Sequence, residues 1–120
     1  MGREELGEVR ALLRDADAVI VAASNGFDVA DGYNQFSCDR EYLRVFGDLR
    51  QRYGVGSILM GLASTWANES HRWEFLKRLI TYGYRCYVPS PAMRALDRLT
   101  ASVPRFVVTC NCNGRFERAG

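Results

Sequence analysis

Two short runs of β-branched and aromatic residues, set far apart in the chain, constrain the fold more than any other feature. The first spans Val19 to Val21 and the second spans Phe106 to Val108. Neither run alternates with polar residues, which is typical of strands that are buried on both faces of a parallel sheet. Parallel strands need a long crossover connection, and the long stretch between the runs can supply one. The pattern predicts an α/β fold in which two adjacent parallel strands are each buried on both faces.

Apolar residues elsewhere in the chain recur at helical spacing, which predicts several helices around the two strands. The clearest terminal signals are Asp39 as an N-cap, Gly54 as a stop, and Ser90 followed by Pro91 at the first helical position. In the helix that contains Trp73, the spacing places this residue on the buried face. The predicted helices cover residues 3–15, 39–53, 57–66 and 69–83, together with one that begins at Pro91.

Composition argues against several classes of protein. The chain has 120 residues, enough for one domain, and 48% of them are hydrophobic, which argues against disorder. Its net charge is +2, from 16 basic and 14 acidic residues, so there is no electrostatic case for nucleic-acid binding. No apolar stretch is long enough to cross a membrane, and the charged N-terminal segment lacks the apolar core of a signal peptide. We therefore expect one cytoplasmic domain with neither a membrane nor a nucleic-acid partner.

The cysteines do not form a metal-binding pattern. Only Cys110 and Cys112 lie close together in the sequence, and the only histidine is His71, whereas structural zinc needs four ligands. Without a secretory signal, a disulfide framework is not expected either. The sequence predicts no metal site, and four reduced thiols of which most are buried.

Each predicted strand ends in a polar loop, and such loops are where α/β sheets bind ligands. The first strand runs into the stretch 22–26, and the second runs into Asn111 to Gly114. In a parallel sheet both loops lie at the carboxyl edge, where they would line one crevice. Amide side chains and backbone N–H groups suit a neutral amide or a pyrophosphate better than general acid–base catalysis. The fingerprint G-x-G-x-x-G is absent, so an ordinary loop fits the first stretch, taken alone, equally well.

Both loops resemble motifs of the sirtuin family. The stretch from Thr109 to Gly120 reads T-C-N-C-N-G-R-F-E-R-A-G, and it matches the sirtuin motif T-Q-N-I-D-G-L-H-E-R-A-G at seven of twelve positions. The stretch from Ala22 to Phe36 is similar to the pattern G-A-S-N-G-L-S-x-x-x-G-Y-x-x-F of a bacterial sirtuin-like group, where most sirtuins read G-A-G-x-S. Segments that begin at Phe46 and at Arg72 also resemble that group. The likeness therefore covers nearly the whole chain.

The resemblance implies that residues 1–120 form a single NAD-binding domain of Rossmann type. Full members of the family use NAD to remove acyl groups from the lysines of acylated protein substrates, or they transfer ADP-ribose. By position, Asn111 would be the catalytic residue near the nicotinamide ribose, and Asn113 would replace the aspartate that holds the carboxamide. The residues that would approach the pyrophosphate are Ala22, Ala23, Ser24, Asn25 and Gly26.

Several residues depart from the family pattern. Ala22 replaces a glycine and crowds the approach of phosphate to the backbone, while Asp28 replaces a serine and adds a negative charge. Cys110 replaces the motif glutamine. In the family, the general-base histidine, the zinc cysteines and the later strands follow the T-Q-N-I-D motif, so we expect this truncated chain to lack them; His71 precedes the motif. These departures predict weak NAD binding at most, and little or no turnover by this chain alone.

Two functions stay open at this point. The chain is either part of an NAD-dependent deacylase or ADP-ribosyltransferase, or a non-catalytic module that senses a nucleotide or binds a protein. Two strands make a poor independent sheet, so we expect a homo-oligomer, a second chain or additional local strands to complete it.

Overall fold

The computed structural model describes residues 2–120, which form a small α/β fold. Two five-residue strands, β1 at Val19–Ala23 and β2 at Arg105–Thr109, pair in parallel. The register begins with Val19 opposite Arg105. The predicted parallel pairing of the two apolar runs is therefore confirmed.

Helices make up most of the rest of the fold, and several begin or end at the residues that the sequence predicts. Asp39 accepts a hydrogen bond from the backbone N–H of Tyr42 at 2.8 Å, Gly54 adopts the left-handed conformation with φ of 75°, and Ser90 caps the helix that Pro91 opens. The helices within residues 2–120 are α1 (Arg3–Asp15), α2 (Asn25–Ala30), α3 (Arg40–Tyr53), α4 (Ile58–Ala63), α5 (Glu69–Ile80), α6 (Pro91–Thr100) and α7 (Arg115–Ala119), and a π-helical turn at Thr81–Arg85 follows α5.

Two local predictions are wrong. The stretch that the sequence predicts as a loop after the first strand is a helix from Asn25 onward, with Ser24 in an extended conformation at its N-cap. This helix has six residues, too few for an apolar period to show in the sequence. In α5, Phe75 is fully buried whereas Trp73 is 60% exposed, because the face that packs on α3 is centred on Phe75 and Trp73 lies off it.

The hydrophobic core lies among the helices and away from the sheet. Phe46, Leu49 and Phe75 are fully buried, and the ring centroids of Phe46 and Phe75 are 5.5 Å apart. Gly61 of α4 packs directly against the Phe75 ring, since a Cβ built at this glycine would lie 2.3 Å from a ring carbon. The helices α3, α4 and α5 thus form a tightly packed layer of their own.

The sheet is covered on one face only, so the prediction that both faces are buried is wrong. Burial alternates along both strands, and Ile20 and Phe106 are 72% and 68% exposed. On the opposite face, Val107 and Thr109 lie beside α6 and α7 and help to enclose a cavity of about 280 Å³. The outer face is apolar in sequence, but no described element packs over it. An apolar run without alternation predicts burial on both faces, but it does not show whether another element packs on each face.

The cysteine side chains lie at the surface of the fold. All four cysteines are free and exposed, so the prediction that most of the thiols are buried is wrong. Polar residues flank most of them in the sequence, such as Ser37 and Asp39 beside Cys38, and these stretches lie at the surface. Across residues 2–120, each helix is too short or too polar to pass through a bilayer.

Candidate functional site

A cleft with a volume of about 410 Å³ opens beside the carboxyl ends of the two strands. Its polar side comes from the loop after β2 and from Asp28 of α2. Its apolar side comes from α4, α5 and the π-helical turn. The residues that line it on these two sides are Asp28, Cys110, Asn111, Cys112, Asn113 and Gly114, and then Leu62, Leu79, Ile80, Gly83 and Tyr84; Tyr33 and Gln35 complete the lining.

Three contacts between side chains and the opposite loop hold the end of β1 against the loop after β2. The Nδ2 of Asn111 donates a hydrogen bond to the carbonyl oxygen of Ser24 at 3.1 Å. The Oγ of Ser24 lies 3.1 Å from the Sγ of Cys110. The Nδ2 of Asn113 donates to the Oδ2 of Asp28 at 2.7 Å. The two polar segments therefore lie together at one edge of the sheet, as parallel pairing of the strands requires.

The residues singled out from the sequence occupy different positions relative to this cleft. Asn111 and Asn113 line it, whereas the stretch 22–26 borders it without lining it. Asn25 makes the connection, because its Oδ1 accepts a hydrogen bond at 3.3 Å from the Nε2 of Gln35, which does line the cleft. Gly26 lies in the first turn of α2, and a Cβ placed there would meet no atom within 4 Å. The backbone around Gly26 is therefore open to the approach of another molecule.

Asp28 is the buried carboxylate of the cleft, with 3% of its surface exposed. Burial raises the pKa of its carboxyl group, although the hydrogen bond from Asn113 and the positive charge of Arg115 oppose the rise. The sequence indicated a charge in a phosphate-facing loop. The structure instead places this carboxylate within α2, where it is bonded to the opposite loop.

Arg115 is a buried residue behind the cleft, and no motif or spacing in the sequence singles it out. Its Nη1 pairs with the Oδ2 of Asp31 at 3.0 Å, and the two side chains are 5% and 0% exposed. Its guanidinium lies between the rings of Tyr33 and Tyr87, 4.5 and 4.6 Å from their centroids. The Nε donates to the carbonyl oxygen of Gly83 at 3.4 Å. One side chain thus joins α7 to the segment after α2 and to the π-helical turn.

Two tyrosines shape the apolar side of the cleft. Burial raises the pKa of Tyr33 to about 12, so its hydroxyl stays protonated at neutral pH. The ring of Tyr84 packs on Gly114, where a Cβ would lie 2.7 Å from a ring carbon. Gly114 also has φ of 68°, which other residues rarely adopt. A glycine is therefore required at this point of the cleft for two independent reasons.

The cleft offers hydrogen-bond donors and acceptors beside an apolar wall. His71 lies elsewhere: its ring stacks on Tyr53 with centroids 4.4 Å apart, and it contacts Asn68 at 3.2 Å. In the described part of the chain, no group of three or more histidine, cysteine, aspartate or glutamate side chains is placed to hold a metal ion. The arrangement suits a flat ligand that carries an amide, because the ring would contact the wall and the amide would meet the polar side.

Comparison with models of known protein families gives no match, and comparison with curated protein sequences gives none. The function of the cleft therefore has to be inferred from its own residues and from the motifs of the two segments that meet there.

Proposed function

We propose that this chain is a sirtuin-like NAD-binding domain whose cleft receives the nicotinamide end of the dinucleotide. One observation carries the proposal. Asn111, Asn113 and the buried carboxylate of Asp28 converge on a single cleft at the carboxyl edge of parallel strands. Open α/β sheets bind nucleotides at this edge. The two segments that meet there are also the ones whose sequences resemble sirtuin motifs.

The substitutions at Asp28 and Asn113 support this proposal when they are considered together. The resemblance aligns Asn113 with the aspartate that holds the carboxamide, and Asp28 with a serine. Their side chains are joined by a hydrogen bond of 2.7 Å, so the cleft keeps one carboxylate and carries it on the opposite segment. A carboxylate can accept up to about four hydrogen bonds, which leaves Asp28 able to accept one from a carboxamide N–H.

The same site leads us to expect weak binding and no turnover. Ala22 stands where the family has a glycine, and a methyl group there hinders close approach of a phosphate to the backbone. Among the residues that line the cleft there is no histidine to act as a general base. Loss of a general base typically costs about 10²–10⁴ in rate. We expect weak NAD binding and no release of nicotinamide by this chain alone.

A non-catalytic module that binds a protein partner, with no nucleotide in the cleft, is the second candidate, and one observation favours it. One N–H donor of each amide in the site is already used within the protein, since Asn111 donates to Ser24 and Asn113 donates to Asp28. These two hydrogen bonds stabilise the edge of the sheet without a ligand. A ligand would then have to form hydrogen bonds in addition to these, because the bonds of the site form without it.

Calorimetric titration with NAD, nicotinamide and nicotinic acid tests the proposal, at a slightly alkaline pH that favours the ionised form of Asp28. We expect NAD and nicotinamide to bind, and nicotinic acid to bind at least about tenfold more weakly because its carboxylate would meet Asp28, a difference of roughly 1.4 kcal/mol. The variant Asp28→Asn should lose this discrimination. The matched control Asp15→Asn, at the exposed end of α1, should keep it.

In the calorimetric titration, no heat with any of the three ligands would favour the non-catalytic module that binds a protein. A nicotinamide-release assay then tests the expected absence of turnover. Release of nicotinamide by the wild-type chain, abolished by Asn111→Ala, would contradict the absence of turnover.

A further inference from the structure

The outer face of the two-stranded sheet is an apolar surface that no described element covers. Its large side chains are Ile20, Phe106 and Val108, which are 72%, 68% and 52% exposed and which we call the open sheet face. Parallel sheets occur almost only with both faces covered. Exposed apolar patches of this kind mark interaction sites in soluble proteins. This face therefore calls for a covering element.

A second unpartnered apolar surface lies on α1. Leu6, Val9 and Leu12 follow one side of this amphipathic helix, and we call them the α1 stripe. They are 39%, 45% and 72% exposed, and no residue of α1 is buried. The stripe has the right form to cover a sheet, because a helix packed on a sheet face is the standard layer arrangement of α/β folds.

We propose that the α1 stripe of one copy covers the open sheet face of a second copy, and the reverse, in a two-fold symmetric dimer. Because each chain carries both surfaces, two reciprocal helix-on-sheet contacts close the assembly and leave neither surface unpaired. The proposal concerns the face of the sheet opposite α6 and α7, so it does not depend on the ligand of the cleft.

The described conformation favours exchange of α1 between copies. After α1, Ala16 is extended, with φ of −77° and ψ of 137°, and Val19 N–H already bonds the carbonyl oxygen of Pro104 at 2.8 Å. Only three residues, 16–18, thus separate α1 from the start of strand pairing, and α1 leaves the open sheet face bare. The chain has a radius of gyration of 17.7 Å, against about 14 Å for a compact domain of this length. Short hinges of this kind favour the exchange of a terminal element.

The area available matches what a dimer needs. The stripe and the face together present six large apolar side chains that are 39% to 72% exposed. At roughly 100 Å² each, covering them buries on the order of 600 Å² per copy before any flanking atoms are counted. A standard stable interface buries about 800 Å² per partner. The two reciprocal contacts together therefore bury about 1,200 Å² in total, which is the lower end of the range for stable interfaces, before flanking atoms are counted.

Sedimentation velocity of the full chain, over a hundredfold range of micromolar concentrations, tests the proposal. We expect a wild-type dimer, and monomers for both Leu12→Asp and Phe106→Asp. The control Val88→Asp changes a residue that is 75% exposed but belongs to neither surface, and it should remain dimeric. Circular dichroism of each variant shows whether the helices are retained.

Mixing the two defective variants distinguishes exchange from other arrangements. A pair made of Leu12→Asp and Phe106→Asp keeps one intact helix-on-sheet contact, whereas each variant alone keeps none. We expect the mixture to associate with a dissociation constant at least about tenfold lower than that of either variant alone.

Four results would overturn the proposal. The first is a wild-type monomer at every concentration, which would mean that α1 covers the sheet of its own chain or that a different molecule does. The second is a dimer that only Phe106→Asp disrupts, which would indicate sheet-on-sheet pairing. The third is a dimer that only Leu12→Asp disrupts, which would indicate pairing between helices. The fourth is a mixture that associates no better than its components.

Discussion

The molecule has a helical layer, formed by α3, α4 and α5, and a strand layer, formed by β1 and β2 with α2, α6 and α7 beside them. The two layers are held together by different kinds of interaction. Between α3, α4 and α5, aromatic and aliphatic side chains such as Phe46 and Phe75 are fully buried against one another. Around the strands, the buried side chains are polar apart from Met93, with Asp28 and Arg115 at 3% and 4% exposure. One layer is therefore stabilised by close packing, and the other by a few directional contacts that also form the cleft.

This difference predicts that the two layers respond differently to substitution. Close-packed apolar groups tolerate little change in volume, whereas buried polar groups depend on keeping their partners. Substitutions in the helical layer should therefore act through lost or added volume. Those around the strands should act through unpaired charge and should alter the cleft.

The largest effect is expected from Phe46→Ala. This side chain is fully buried in the helical layer, so truncation leaves a cavity and should cost about 4–5 kcal/mol of unfolding free energy. The matched change in the strand layer, Ile20→Ala, removes an exposed side chain and should cost less than about 1 kcal/mol in the monomer. Urea denaturation of both variants at low protein concentration measures the contrast, and equal losses would show that the sheet shares the core.

Arg115→Met should have the next largest effect, at about 3–4 kcal/mol, because it leaves the fully buried carboxylate of Asp31 without its ion-pair partner. The effect should lie below the top of the usual range, since methionine still contacts the rings of Tyr33 and Tyr87. Arg115→Lys keeps the charge and should lose less. If the two variants unfold at the same urea concentration, the charge of Arg115 is not what holds this region together.

Two glycines, one in each layer, allow a sharper comparison. Gly61→Ala places a methyl group 2.3 Å from the Phe75 ring and should destabilise the fold by about 2 kcal/mol. Gly26→Ala meets no atom within 4 Å and lies in a helix, so its stability should stay the same or rise slightly. Thermal unfolding measures both effects. If the backbone at Gly26 approaches a phosphate, as the sirtuin resemblance implies, this second variant should also bind NAD more weakly at unchanged stability.

The smallest effect is a dependence on pH that comes from Asp28. Because burial raises the pKa of this carboxyl group in the folded state, its favourable contribution is present below the ordinary aspartate pKa of about 3.9 and is lost as the pH rises through the raised value. Asp28→Asn removes this titration. Relative to wild type, the variant should therefore become more stable as the pH rises from the ordinary aspartate pKa through the raised value.

Urea denaturation at several pH values measures this difference. A gap between variant and wild type that stays constant with pH would mean that Asp28 does not titrate with a raised pKa in the folded state. In that case its role in the cleft would be limited to the hydrogen bond with Asn113.

Local residues predicted a large part of this fold. The strands at Val19 and Arg105, the cap at Asp39 and the stop at Gly54 all follow from propensities and from contacts within about four positions of the chain. Parallel pairing of two apolar runs also followed, because a long helical crossover leaves little alternative. Parallel pairing also brings the segments at Ser24 and Asn111 together, because each follows the carboxyl end of its strand.

The rest was decided by the tertiary structure. The ion pair between Asp31 and Arg115 joins residues that are 84 positions apart, and nothing near either one in the sequence indicates a partner. Burial is a property of the surroundings: Trp73 is exposed although its spacing is helical, and Ile20 is exposed although its neighbours are apolar. The sequence determines which residues can be buried, but whether they are buried depends on which element packs against them.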